Sequence, residues 1–351
     1  MKRAGKGGMS EKKRVTIYDI AREAGVSAAT VSRVITGSAE VSEIKREKVL
    51  ALIRQYNFRP NALAKGLSMT QSGLLGMLVP DVRNPYYASL FMACEREAFE
   101  MGYTLILNNT FTQENLEIAF LDKMIEQRVE AILICGGLID RTPLPERYDA
   151  ALKNTAQIVP VIIAGQTDIP GCSQISLDHE GGMRQLLGHL TKLGHRRIAF
   201  LYSGTNIRLT RIKKQAFIDY MREQSLPFPD EYLQEVEHFN EESGSRGMER
   251  LLGLDTAPTA VIGINDLVAA GAMRCALERG LRVPGDCSVA GFDNSYLSDL
   301  IVPRMTSVDY NYEQYGHKLV RLAVEKIHDQ TENYTGIQPV SLIVKASSAA
   351  E

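Results

Sequence analysis

Residues Thr16 to Thr36 read TIYDIAREAGVSAATVSRVIT. Ile17, Ile20, Ala21 and Ala24 recur at helical spacing, Gly25 permits a sharp turn, and Ser27 stands where it can cap the helix that follows. Val31 and Val34 face inward on that second helix, leaving Ala28, Ala29, Ser32 and Arg33 outward. The pattern predicts a helix-turn-helix, whose second helix offers its first turns to the major groove of DNA. A plain helical hairpin in a core would share this periodicity, and the flanks decide between the two.

Those flanks are basic. Through Ser72 there are 14 Lys and Arg against 6 Asp and Glu, a net of +8, which leaves −10 on the rest of a chain whose total is −2. A cationic module on an acidic body suits docking on phosphates while the body stays clear of them. Basic residues alone more often mark a solvated face. Their coincidence with the helix pair gives them meaning.

At 351 residues with 44% hydrophobic content, the chain can build two or three domains with real cores. No apolar run approaches the ~20 residues that span a bilayer, and the opening MKRAGKGGMSEKKR has no signal-peptide core, so a cytoplasmic address and no membrane partner are expected. Lys6-Gly7-Gly8 reads like a translated ribosome-binding sequence, so initiation is expected at Met9, and N-terminal sequencing of the native product decides between Met9 and Met1. The five cysteines, Cys94, Cys135, Cys172, Cys275 and Cys287, are scattered like reduced core thiols, with no metal-site spacing. Enzyme signatures are missing too: no GxSxG elbow, GKS/T loop, HExxH or CxxC occurs, and the histidines do not cluster. No enzyme, metal or cofactor is expected. His195 is read as fixing a turn.

Ser42 can cap a third helix through EIKREKVLALIRQY, with Ile44, Val49, Leu50, Leu52 and Ile53 on its apolar side. Then comes NFRPNALAKGLSMTQSG, in which Pro60 can start a helix whose stripe of Ala62, Leu63, Ala64 and Leu67 is too short to hold in water alone. It should form only against a twin from a second subunit and a DNA groove. From Leu74 onward, LLGMLV, YTLILN, AILICG, PVIIAG, RRIAFLY, TAVIGI and CSVAGF read as strands buried on both faces, alternating with amphipathic helices. This alternation predicts open parallel sheets wound with helices, with ligands at the carboxyl ends of the strands.

Taken together, the helix-turn-helix, RPNALAKGL, DVRNPYY, QRVEAILI, LGHRRIAF, INDLVAAGA, VPGDCSVAGFDN and LIVKASSA make a chain that resembles the lactose repressor family of transcriptional regulators from Val15 to about Ala349. The resemblance implies a small all-α helix-turn-helix domain followed by an α/β, two-lobed, periplasmic-binding-protein-like core with parallel sheets. The expected divisions are a disordered basic tail (1–14), the DNA-binding domain (15–59), a hinge helix and linker (60–73), and an effector-binding and dimerisation core (74–351). The first lobe is placed at about 74–175 plus 306–336, and the second at about 176–305 plus 337–351.

The resemblance also places the contacts. Ala28 and Ala29 stand where the family reads base edges, but they offer no hydrogen bonds, so Arg33 is the expected guanine reader. Thr16, Tyr18, Ser27, Thr30 and Ser32 are placed for phosphates. Asn61, Ala64 and Leu67 fall on the hinge, with Leu67 matching the wedge that enters the minor groove. Gly66 replaces a common Ser there, which lowers helix propensity by roughly 0.5 kcal/mol. Effector contacts map to Tyr86, Tyr87, Asp178, Lys213, Phe239, Asn265 and Asp293, with Asp266 also considered; the alternative role for the aspartates is helix capping. Lys213 stands where the family usually has Arg. With Arg83, Arg208 and Arg211 it suggests a cationic cluster inclined toward a sugar acid or sugar phosphate.

The reading is a cytoplasmic, homodimeric, ligand-responsive regulator that binds palindromic double-stranded operator DNA, as a repressor of carbohydrate genes, with a sugar, sugar acid or sugar phosphate as effector. The alternative is a cytoplasmic small-molecule binding protein of the periplasmic sugar-binding class, against which the N-terminal helices argue. Leu67→Ala should weaken binding to a palindromic duplex sharply and leave ligand binding intact. Equal duplex affinity in variant and parent refutes the wedge.

Overall fold

The structure is a computed structural model that describes residues 15–36, 41–58, 71–329 and 332–351. It divides into two compact units, one up to Ser72 and one from Gly73 to Glu351. Among the described residues no helix is long and apolar enough to cross a membrane.

The first unit contains α1 (Ile17–Ala24), α2 (Ala28–Thr36) and α3 (Glu43–Gln55). Thr16 and Asp19 close a reciprocal capping box on α1, and Gly25 ends it at φ +69°, a left-handed conformation that glycine adopts without strain. Ser27 caps α2 as expected, its Oγ accepting from the Thr30 amide at 3.2 Å. Ile20, Ala21, Ala24, Val31, Val49 and Leu52 form the core. Three expectations change. Ala28 is half-buried against this core, because the turn brings the first residue of α2 close to it. Ser42 sits at the start of α3 but makes no side-chain cap, and Ile44 is exposed.

The second unit holds two six-stranded sheets. The first contains β1 (Leu74–Val79), β2 (Thr104–Asn109), β3 (Ala131–Ile134), β4 (Val161–Ala164), β5 (Cys172–Leu177) and β11 (Thr335–Gln338), all pairing in parallel. It is packed by α4 (Pro85–Glu100), α5 (Glu114–Glu126), α6 (Glu146–Ile158) and α12 (Tyr312–His328). The second contains β6 (Ile198–Ser203), β7 (Leu233–Val236), β8 (Ala260–Gly263), β9 (Ser288–Asp293), β10 (Thr306–Asp309) and an antiparallel edge strand, β12 (Ser341–Ile343). Its helices are α7 (His179–Lys192), α8 (Arg208–Glu223), α9 (Glu241–Leu252), α10 (Asp266–Glu278) and the short α11 (Leu297–Leu300). The chain therefore crosses between the sheets at 178, at 310–311 and at 339–340. This corrects the expected lobe bounds. Strand 306–309 belongs to the second sheet, where it lies between β9 and β12, and all of 172–177 belongs to the first.

All five cysteines are buried and free. His195 accepts or donates at both ring nitrogens, with Thr259 Oγ1 at 3.0 Å on one side and Ser288 Oγ and the Ala349 carbonyl, each at 3.0 Å, on the other. It ties down the C-terminal tail. Helices α9 and α10 approach so closely that a Cβ at Gly244 or Gly271 would overlap the Val268 or Glu241 carbonyl oxygen.

Asp266, considered as an effector contact, is a structural carboxylate. It is buried and accepts from the Ser295 amide at 2.8 Å, Ser295 Oγ at 2.9 Å and Ser307 Oγ at 2.6 Å, so it pins the loop after β9 and strand β10 to the start of α10. Asp266→Ala leaves those donors unpaired and should cost about 2–4 kcal/mol of stability, read by urea unfolding. A loss below about 0.5 kcal/mol would show that the loop is held otherwise.

Candidate effector cleft and DNA-facing helix

In sheets of this strand order, the helices flanking the first strand leave on opposite faces, and a crevice opens at the strands' carboxyl ends. Here both crevices open on one cleft of about 1340 Å³. Pro80 after β1, Gly136 after β3 and Gly165 after β4 line it from the first lobe; Ser203 ending β6, Ile264 after β8 and Asp293 ending β9 line it from the second. Gly136 has φ +73°, and a Cβ there would run into the Tyr87 hydroxyl. The glycine admits Tyr87 to the wall.

Lys213 sits deep in the cleft lining, 2% exposed. Its Nζ donates to the Ile264 carbonyl at 2.9 Å and to the Tyr310 hydroxyl at 3.2 Å, and lies 3.9 Å from the Phe292 ring centroid. Burial lowers its ammonium to about 8, against the pull of Asp293 and Asp266. Asp293, buried at φ +103°, has its carboxyl pushed well up by burial and then by Asp266, while Lys213 holds it down. Each therefore favours the other's charged form against the cost of burial.

Of the expected contacts, Tyr86, Tyr87, Lys213, Phe239, Asn265 and Asp293 all line the cleft. Asn265 also caps α10, accepting from the Val268 amide at 2.9 Å, and its Nδ2 donates to the Phe239 carbonyl at 3.2 Å, which fixes that loop. Asp178 does not line it. Its carboxylate accepts from the Gly181 amide at 2.8 Å and caps α7, a role imposed by its place at the first crossing. Of the expected cationic cluster, Arg83, Arg208 and Lys213 line the cleft and Arg211 does not. Arg83 forms a two-pronged ion pair with Asp81, Arg208 pairs with Asp168 at 2.6 Å, Arg211 is exposed outside the lining, and Lys213 is enclosed as described.

Among the lining residues that sequence reasoning missed are His179, Tyr310 and Asp140. His179 opens α7, with its ring centroid 6.0 Å from that of Tyr310, and burial followed by Lys213 pushes its imidazole well below the usual histidine range. Tyr310 lies on the second crossing and meets the Tyr86 ring edge-on at 5.8 Å. Only their positions at chain crossings signal either one. Asp140 follows the Gly136-Gly137 turn after β3, and that glycine pair was the available clue.

In the first unit, Thr16, Tyr18, Ser27, Ala29 and Arg33 are exposed, Tyr18 to 73%, whereas Thr30 and Ser32 are half-buried. Ser27 Oγ and Thr30 Oγ1 are 2.9 Å apart. Asn61, Ala64 and Leu67 lie outside the described residues.

Residues 16–61 match the model of bacterial regulatory proteins of the lacI family, and residues 187–348 match that of the periplasmic binding protein-like domain. Catabolite control protein A of Priestia megaterium is 33% identical over 326 residues, 92% of this chain and 96% of that protein. The lac repressor dimer bound to operator and the anti-inducer ONPF superposes with a TM-score of 0.85 at 28% identity, over 96% of this chain and 100% of that one. The complex of the transcriptional regulator CelR with cellobiose follows at 0.69 and 27%, over 95% and 100%. A capped helix pair ahead of two crossed lobes, matched along nearly its whole length, makes this chain a member of the lacI family of bacterial regulatory proteins, DNA-binding transcriptional regulators rather than enzymes.

Proposed function

We propose that the protein is a cytoplasmic repressor whose homodimer grips a palindromic operator, with α2 in the major groove and the segment around Leu67 in the minor groove, and whose effector is a neutral, polyhydroxylated sugar. The observation that carries the effector class is charge balance. Of the cations in the cleft lining, Arg83, Arg208 and Arg274 are ion-paired with Asp81, Asp168 and Glu278, and Lys213 feels Asp293 and Asp266, which leaves Arg141 without an ion pair among the described residues; Asp293, Asn265 and the rings of Tyr86 and Phe239 suit hydroxyls and the apolar face of a sugar. The CelR structure named above holds such a ligand, cellobiose.

On the DNA side, Arg33 reads a guanine while Thr16, Tyr18, Ser27, Thr30 and Ser32 engage phosphates, and Ala28 and Ala29 allow close approach. A ligand that binds the two lobe arrangements unequally shifts operator affinity by that difference.

The test is binding of the purified protein to a fluorescent palindromic duplex from upstream of its own gene, with neutral sugars, sugar acids, sugar phosphates and nucleosides added in turn. A neutral sugar should change duplex affinity several-fold. A response to sugar acids or phosphates alone overturns the neutral reading.

A further inference from the structure

At one edge of the cleft the two lobes touch through backbone. Arg141 and Ile207 form an isolated antiparallel bridge, and the Thr142 amide donates to the Asn206 carbonyl at 2.8 Å. Asp140 immediately precedes this contact on the first lobe and Arg208 immediately follows it on the second; both line the cleft. Their charges sense each other. The Asp140 carboxyl is pushed up to about 7, first by burial and then by Glu117, while Arg208 pulls it down.

Both groups hold unused hydrogen-bonding capacity. Glu117, behind Asp140, spends its Oε1 on the Leu138 amide and Thr110 Oγ1, each at 3.2 Å, and so shapes the turn that presents Asp140. No hydrogen bond from the described residues reaches the Asp140 carboxylate itself. Arg208 uses Nη2 on Asp168, yet its Nε is buried without an acceptor. A buried donor left unmade is costly, and so is a half-desolvated carboxylate without donors.

We propose that Asp140 and Arg208 form a second polar grip of the effector site, in which one sugar hydroxyl donates to the Asp140 carboxylate while its vicinal neighbour accepts from Arg208 Nε, so that the ligand bridges the lobes. This rests on the neutral-sugar reading above and adds to it a place and a pattern: adjacent hydroxyls, presented to an acceptor on one wall and a donor on the other. An anionic group would be repelled by Asp140 and a cationic one by Arg208. A vicinal diol satisfies both. The grip lies at the lobe contact, so its occupation favours whichever lobe arrangement keeps the two residues close.

Calorimetric titration of the full-length protein with a panel of neutral mono- and disaccharides tests this, using the best-binding sugar for comparison of variants. Asp140→Asn and Arg208→Lys, which retains a cation for Asp168 but removes Nε, should each weaken that sugar about tenfold or more. Asp168→Asn, which removes only the ion pair, should leave affinity within about twofold. A circular-dichroism spectrum and urea unfolding midpoint matching the parent's exclude misfolding of Asp140→Asn. If Asp293→Asn weakens the sugar but Asp140→Asn and Arg208→Lys do not, the second grip is overturned and the neutral-sugar reading stands. If no sugar in the panel binds the parent, that reading falls and takes the grip with it.

Discussion

The architecture depends on the chain passing between the two sheets three times, at 178, 310–311 and 339–340. With three tethers, the carboxyl ends of both parallel sheets must face the same space. A cleft at the junction follows from connectivity before any ligand chemistry is considered. The crossings also deliver side chains that no single lobe could place. Tyr310 stands on the second crossing and His179 directly follows the first, and both line the cleft. Any change in the angle between lobes moves these rings relative to Tyr86.

Charge in the cleft is handled by pairing. Burying an isolated ammonium or carboxylate costs several kcal/mol, and Lys213 and Asp293 persist because each supports the other's charge. Asp266 lies just behind, its carboxylate spent on Ser295 and Ser307. In the first unit the same economy appears in small: a reciprocal box of Thr16 and Asp19 and a Ser27 cap fix α1 and α2 with their donors satisfied, so the exposed Arg33 and Tyr18 stand on a rigid frame.

Much was legible in the chain itself. The helix-turn-helix was readable because its core positions follow helical spacing and its turn needs Gly25 at positive φ; seven strands were readable because each is a near-continuous apolar run, buried along almost its whole length in all but the edge strand β2. Strands β5, β7, β10, β11 and β12 were not, because they carry polar residues that become buried or lie at sheet edges. Ser307 on β10 is buried against Asp266, and Ser173 on β5 accepts from the Tyr334 amide at 3.1 Å. Such residues read as loop until a partner across the fold satisfies them.

Local pattern thus determined which segments are helices and strands, the division into a DNA-facing unit and a ligand-facing core, and six of the seven proposed effector contacts that prove to line the cleft. Only the tertiary structure decided that Asp178 is a cap, that Asp266 is a structural anchor, that strand 306–309 belongs to the second lobe, and that Asp140 and Arg208 both line the cleft beside the bridge of Arg141 and Ile207. The reason is range. Spacing along a helix or strand is set by neighbours a few residues away, whereas the partner of a carboxylate is chosen by chain segments tens of residues distant, which no periodicity records.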